Sequence, residues 1–227
     1  MTAIIEMEAV DKRFGRTRIL SQATLQVEEA ACCGIVGVNG SGKTTLLRCL
    51  VGLIRPDAGR VVMLGQELYP GLAPLPRGFG AVIEQPAFLG SLTGWRNLAL
   101  LASLVPGGVS PAQRERAMER VGLDPGNRVK VRSYSLGMRQ RLALAQASMD
   151  APRLLILDEP QYALDPEGVA MLRRLIQEHQ ASGGTTLMVS HHLDEVRALC
   201  DVVYRMVHGR PEPEPEPPEE AVVADAR

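Results

Sequence analysis

Residues 37–44 read Gly-Val-Asn-Gly-Ser-Gly-Lys-Thr. The apolar run Cys-Cys-Gly-Ile-Val-Gly-Val (32–38) leads into them. A segment from about Lys43 to Ile54 follows, with Leu46, Leu47, Leu50, Val51 and Ile54 at helical spacing. This order of strand, glycine-rich loop and helix constrains the fold more than any other feature of the chain. Glycines let a backbone wrap an anion with its N–H groups, and the start of a helix adds a favourable dipole. The spacing G-x-x-x-x-G-K-T is that of a phosphate-binding loop. Gly37, Asn39, Gly40, Ser41 and Gly42 form the cradle. Lys43 reaches toward β- and γ-phosphates, Thr44 offers its hydroxyl to Mg²⁺, and Thr45 continues the helix start. A plain glycine-rich turn is the alternative reading, and it leaves the lysine and both flanking elements unexplained.

An apolar strand without alternation is covered on both faces, which implies an α/β sheet. Further strands are predicted at 4–10, 23–29, 60–65, 81–84, 153–158, 185–190 and 201–207, with loop over 66–80. Helices are predicted over 93–104 and 110–121, from Ser135 onward, from Asp165–Pro166 to Gly183–Gly184, and briefly after 191. Ser110, Pro111 and Gln113 have the spacing of a capping box. The helices of 93–149 arrive without intervening strands, so they are expected to form a separate lobe. From residue 211 the sequence turns to Pro-Glu-Pro-Glu. That composition favours extended, self-repelling chain, and 211–227 are expected to be a disordered acidic tail.

"Leu-Leu-Ile-Leu-Asp-Glu-Pro" (154–160) ends an apolar strand on two acids. Sheets of this class place ligands at the carboxyl ends of their strands. Asp158 suits a carboxylate partner of Mg²⁺, and Glu159 a base that orients and deprotonates water. Ser135, opening "Tyr-Ser-Leu-Gly-Met-Arg-Gln-Arg" (134–141), is a helix N-cap. With Gly137 behind it, the same helix start is also an anion site.

Composition narrows the function. The net charge is -1, which argues against nucleic acid as the partner. No apolar stretch is long enough to span a bilayer, and "Met-Thr-Ala-Ile-Ile-Glu" carries no basic leader. The four cysteines, Cys32, Cys33, Cys49 and Cys200, fit no zinc spacing and read as buried thiols in a reducing compartment.

The phosphate loop, "Tyr-Ser-Leu-Gly-Met-Arg-Gln-Arg", "Leu-Leu-Ile-Leu-Asp-Glu-Pro", "Ala-Leu-Asp-Pro" and "Val-Ser-His-His" follow one another in the order and spacing of an ABC-type ATPase. The chain resembles the nucleotide-binding subunit of ABC transporters over residues 4–210. The resemblance implies a P-loop core with a mixed, mainly parallel sheet, an N-terminal antiparallel β-subdomain and an inserted helical lobe at about 86–149. It implies ATP and Mg²⁺ as cofactors. Ser135 to Met138 look like the signature that grips ATP bound to the other subunit. Ala163, Leu164 and Asp165 look like the D-loop, which signals between subunits. His191 looks like the switch histidine on the γ-phosphate. Phe14 looks like the aromatic that stacks on adenine, with a packed core role as the alternative. Leu136 and Met138 depart from the usual glycine and glutamine, and Gln161 and Tyr162 from the usual small residues.

By the same resemblance two cassettes close head to tail on ATP, as a homodimer or a heterodimer. They drive separate membrane permease subunits from the cytoplasmic face of the membrane. The permease is expected to dock near 84–100, where Phe88, Leu89, Leu92 and Trp95 cluster, although these residues also suit the core of the lobe. "Ile-Glu-Gln-Pro-Ala-Phe-Leu-Gly-Ser-Leu-Thr-Gly-Trp-Arg-Asn-Leu" is similar to the bacterial subgroup that exports antibiotic peptides and drugs. Two other readings are a soluble ATPase uncoupled from transport and a degenerate regulatory cassette. In this register the Q-loop position falls on Glu84 rather than Gln85. Glu84 is then expected to sense the γ-phosphate and ligate the metal, at the exit of a strand running alongside the phosphate-loop strand.

Overall fold

A computed structural model describes residues 2–69, 74–84 and 87–215. Two long strands open the chain, β1 (Ala3–Phe14) and β2 (Thr17–Glu28), paired antiparallel. β3 (Cys32–Val36) leads into α1 (Lys43–Leu50). β4 (Ala58–Met63) and β5 (Gln66–Glu67) complete a four-stranded antiparallel sheet of order β2-β1-β4-β5. β6 (Phe79–Val82) is followed by the helical lobe: α2 (Gly94–Ala102), α3 (Pro111–Arg120), a 3-10 turn (Val131–Ser133) and α4 (Leu136–Ser148). Then come β7 (Leu154–Asp158), α5 (Pro166–Ala181), β8 (Thr185–Ser190), α6 (Leu193–Arg197), β9 (Val202–Val207) and β10 (Arg210–Pro213). The second sheet has the order β10-β9-β3-β8-β7-β6 and is parallel except at β10.

This sheet divides two hydrophobic cores, and strand alternation explains how. On β3, Cys32 and Val36 face the core shared with the helical lobe and α5. Cys33 and Ile35 face the core shared with α1 and the antiparallel sheet. On β7, Leu155 and Leu157 point to the first core, and Leu154 and Ile156 to the second. Gly34 lacks a side chain because α6 crosses there: an added Cβ would lie 2.0 Å from Val196 Cγ1. The helix starts follow local rules. Thr93, Ser110, Ser135 and Asp165 each accept a backbone N–H, and Ser110 with Gln113 completes the capping box.

The structure corrects the sequence reading at several points. α1 stops at Leu50 rather than Ile54, because Gly52 (φ 75) turns the chain and Leu53 N donates back to Arg48 O. The expected loop over 66–80 contains β5 and the start of β6. The strand expected at 81–84 is Phe79–Val82, so Glu84 lies beyond its end with φ 61. It pairs with β7, and β8 separates β7 from β3. It therefore does not run beside the phosphate-loop strand. The expected disordered tail is ordered through Pro215. β10 pairs with β9 at the sheet edge, where prolines are tolerated, and Glu214 N donates to Val203 O. The Pro-Glu composition hides this because the order depends on partners elsewhere in the chain, Arg197 and Arg205. Residues 216–227 lie outside the described residues.

Asp11 pins the irregular part of β1 and β2. Its carboxylate accepts from Gln22 N and Gln22 Nε2, both at 2.9 Å, and from Arg18 Nη2 at 3.3 Å. The hydrogen bond from the Gln22 backbone, more than any other contact, holds its carboxyl below the ordinary carboxylate value. A depressed carboxyl adds stability that is present above its unfolded pKa and is lost as pH falls through the folded one. Asp11→Asn is therefore expected to be less stable than the parent at neutral pH. The gap should narrow as denaturation is repeated from pH 5 down to about pH 2.

Candidate nucleotide site

The phosphate loop leaves β3 and enters α1 through Gly42, which sits at the N-cap with φ 106 and supplies no side-chain cap. The first-turn N–H groups of α1 thus face the loop without a capping side chain. Gly40 (φ 80) has no heavy atom within 4 Å of where a Cβ would stand. Ser41 Oγ is buried without a partner among the described residues. These three observations fit an anion held by backbone N–H groups and a serine hydroxyl. Lys43 is buried; its Nζ donates to Gly37 O at 2.6 Å and Val38 O at 3.3 Å, and lies 3.8 Å from Glu159 Oε1. Phe14, Ile19, Asn39–Thr45, Asp158 and Glu159 line one cavity of about 320 Å³.

Phe14 is 48% exposed at the rim of that cavity, so its core alternative is set aside. Lys12 Nζ lies 5.7 Å from its ring centroid. Phe14→Ala should weaken ADP binding by about tenfold, the scale of one base–aromatic stack, in a calorimetric titration.

Asp158 closes the cavity from β7. Burial, chiefly, raises its carboxyl above the ordinary range, and the neighbouring Glu159 charge adds to this. Hydrogen bonds from the Thr44 side chain and the Glu84 backbone, and the Lys43 charge, act in the opposite direction. Thr44 hydroxyl and Asp158 carboxylate are hard oxygen donors of the kind Mg²⁺ takes alongside phosphate and water. Among the described residues no group of three His, Cys, Asp or Glu side chains could hold a metal alone, so phosphate oxygens would have to complete such a site.

Glu159 follows at φ 46, a left-handed conformation that turns its side chain out of the strand line, with its N–H bonded to Val189 O. Its Oε2 accepts from His191 Nδ1 at 2.9 Å, so Nδ1 carries the proton. The site therefore brings together Lys43, Glu159 and His191. His192 caps α6 by position only; its ring centroid lies 3.8 Å from that of His191, with the planes tilted by 42°.

Glu84, the expected sensor and metal ligand, borders this site. Its main chain reaches Asp158, while its half-exposed carboxylate is paired with Arg48, one turn beyond Thr44 on α1. Gln85, its rival for the Q-loop position, lies outside the described residues. Glu84 also borders a second cavity of about 300 Å³, between Thr44, Asp158 and Glu159 on one side and Leu136, Arg139, Gln140 and Tyr162 on the other.

Ser135, Gly137 and Asp165 are not brought to the phosphate loop. They line a separate open groove with Leu136, Met138, Arg141 and Ala163. Gly137 is required here, since a Cβ would stand 2.8 Å from Ala163 O. Arg141 ties the groove together: it donates to Val121 O and, at 3.0 Å, to Asp165 Oδ1. Asp165 also accepts from Gly168 N, which contributes most to its lowered pKa. Sequence reasoning does not single out Arg48 and Arg141, the cations that pair with Glu84 and Asp165. Arg141 lies inside the "Tyr-Ser-Leu-Gly-Met-Arg-Gln-Arg" stretch, and Arg48 sits four residues after Thr44; either position could have flagged it. Of the apolar cluster at 84–100, Phe88 and Trp95 pack partly into the lobe core, Trp95 beneath Arg114, while Leu89 is 52% exposed.

A phosphate loop at the head of a parallel sheet, with an acidic pair at the end of β7 and a histidine just after β8, defines a P-loop ATPase. The chain belongs to the ABC transporter family, whose description matches residues 20–162. It is 42% identical over 201 residues to the uncharacterized ABC transporter ATP-binding protein YdbJ of Bacillus subtilis, covering 88% of this chain and 65% of the relative. It is 39% identical over 210 residues to the bacitracin transport ATP-binding protein BcrA of Enterococcus faecalis, covering 92% and 68%. The chain thus spans about two thirds of the length of these relatives. Among solved structures, an ATP-binding subunit of an ABC transporter superposes with a TM-score of 0.82 at 27% identity, covering 92% of this chain and 88% of that one.

Proposed function

We propose that this chain is the ATP-hydrolysing subunit of an ABC exporter for antibiotic peptides or drugs. The observation that carries the catalytic part is the Glu159–His191 hydrogen bond beside Lys43 at the mouth of the phosphate loop. ATP, with Mg²⁺ on Thr44 and Asp158, would be held by the loop and by Phe14. The metal supplies charge neutralisation at the phosphates. Glu159 takes the proton of the attacking water, and His191 holds Glu159 in place through its Nδ1–H.

The signature and D-loop residues Ser135, Gly137 and Asp165 face a groove of their own. A second cassette, identical or not, is the natural owner of the phosphates they grip. This head-to-tail pairing makes ATP the joint between two copies. Among the described residues no helix is long and apolar enough to cross a membrane, and we assign the membrane spans to permease subunits. We place the chain at the cytoplasmic face through that contact, with exposed Leu89 in the docking surface. The name of the bacitracin relative supports the cargo class. No observation favours an uncoupled or degenerate cassette over this reading.

The test is co-expression with a polytopic membrane protein, sought in the reading frames beside that of this chain. A polytopic partner should co-purify, its vesicles should stimulate ATP turnover, and host cells should gain resistance to bacitracin-like peptides. ATP turnover by the purified chain with no membrane partner and no change in resistance would defeat the export reading.

A further inference from the structure

The first acid beyond β10 is built into the fold. The Glu214 side chain is only 6% exposed. Its Oε2 accepts from Arg205 Nε at 2.6 Å. Its Oε1 accepts from Arg205 Nη2 at 2.8 Å and from Arg197 Nη2 at 3.1 Å. Arg197 Nη2 also donates to Pro215 O at 2.9 Å. One carboxylate therefore joins β9, α6 and the C-terminal segment.

α6 is only Leu193–Arg197, too short to hold its shape unaided, and His192 gives it no side-chain cap. From inside it is anchored by Val196, fully buried against Gly34. From outside it is anchored by Arg197. His191 stands two residues before it, separated from it by the N-cap His192. His191, Leu193 and Arg205 share one cavity wall with Gly37, Val38 and Asn39 of the phosphate loop. α6 thus starts two residues beyond His191, beside the cavity that His191 shares with the phosphate loop.

We propose that Glu214 is a positioning residue for His191, acting through Arg197 and α6. This rests on the ATPase reading of the site. Without the carboxylate, two guanidinium groups are left facing each other with no counter-charge among the described residues, and α6 is free to swing outward. The ring then loses its alignment with Glu159, while the phosphate loop itself is untouched.

The test uses Glu214→Gln and Arg197→Gln in the full chain. Each should slow single-turnover ATP hydrolysis by about fivefold or more with ATP affinity unchanged, the pattern of a lost transition-state contact. In a His191→Ala background neither should have a further effect, as coupled positions require. In the nucleotide-free chain, the hydrogen-bonded Nδ1–H resonance of His191 should be lost by NMR. Amides of Val196 and Ala198 should exchange faster while those of β8 do not. The proposal is overturned if Glu214→Gln slows turnover equally without His191, or lowers the melting temperature while the His191 resonance stays. It is also overturned if Arg205→Gln reproduces the effect and Arg197→Gln does not. Should the parent chain hydrolyse no ATP, the ATPase reading fails, and the ring resonance still decides the role of Glu214.

Discussion

Glu159→Gln is expected to reduce ATP hydrolysis by about 10³-fold, within the range for loss of a positioned general base, with little loss of nucleotide affinity. The amide keeps the shape of the side chain and can still meet His191, but it cannot take a proton from water. It also removes the negative charge that lies 3.8 Å from Lys43 Nζ. Binding therefore holds or tightens while turnover stops. Because ATP is not consumed, the closed pair of cassettes should accumulate. Size-exclusion chromatography with ATP and Mg²⁺ should show a dimer for the variant and a monomer for the parent. A variant that turns over at the parental rate would remove Glu159 from the chemistry.

Gly80→Ala should be the most damaging small change in the fold. Gly80 lies on β6, at the edge of the parallel sheet, where the C-terminal part of α4 crosses it. An added Cβ would lie 1.8 Å from Ala147 O and 2.7 Å from Ala147 C. Both are backbone atoms, so no rotamer change relieves the clash, and strand and helix must separate. Overpacking of this kind costs about 3 kcal/mol or more, a large share of the ~5–15 kcal/mol that holds a domain together. Differential scanning calorimetry should show a melting temperature lowered by roughly 10 °C. The shift is expected to propagate to the site, since Ser135 caps α4 and β6 leads to Glu84. Unchanged melting would mean that α4 and β6 do not pack as described.

Much of this was legible in the sequence because it is local. The phosphate loop is contiguous, so strand, glycines, lysine and helix declare one another. Asp158 and Glu159 end an apolar run whose burial was already visible. Ser110 and Gln113 form their cap within one turn. What was not legible depends on residues far apart in sequence. The position of β6 beside β7 rather than β3 is a matter of sheet order, to which a four-residue strand contributes no register signal of its own. The tie between Glu84 and Arg48 spans 36 residues. The order of Glu214 needs Arg197 and Arg205, and by composition alone its segment has nothing to bury.

The placement of β3 between two cores has a consequence for how the molecule comes apart. Each of its five residues is buried, and neighbouring side chains belong to opposite cores. Loosening either core strips one side of this strand and exposes the hydrogen bonds it makes to β8 and β9. The helical lobe and the antiparallel sheet are therefore expected to share one global opening event. The amides of Gly34 and Ile35 should be among the last to exchange with solvent, at a rate set by the unfolding of the whole chain.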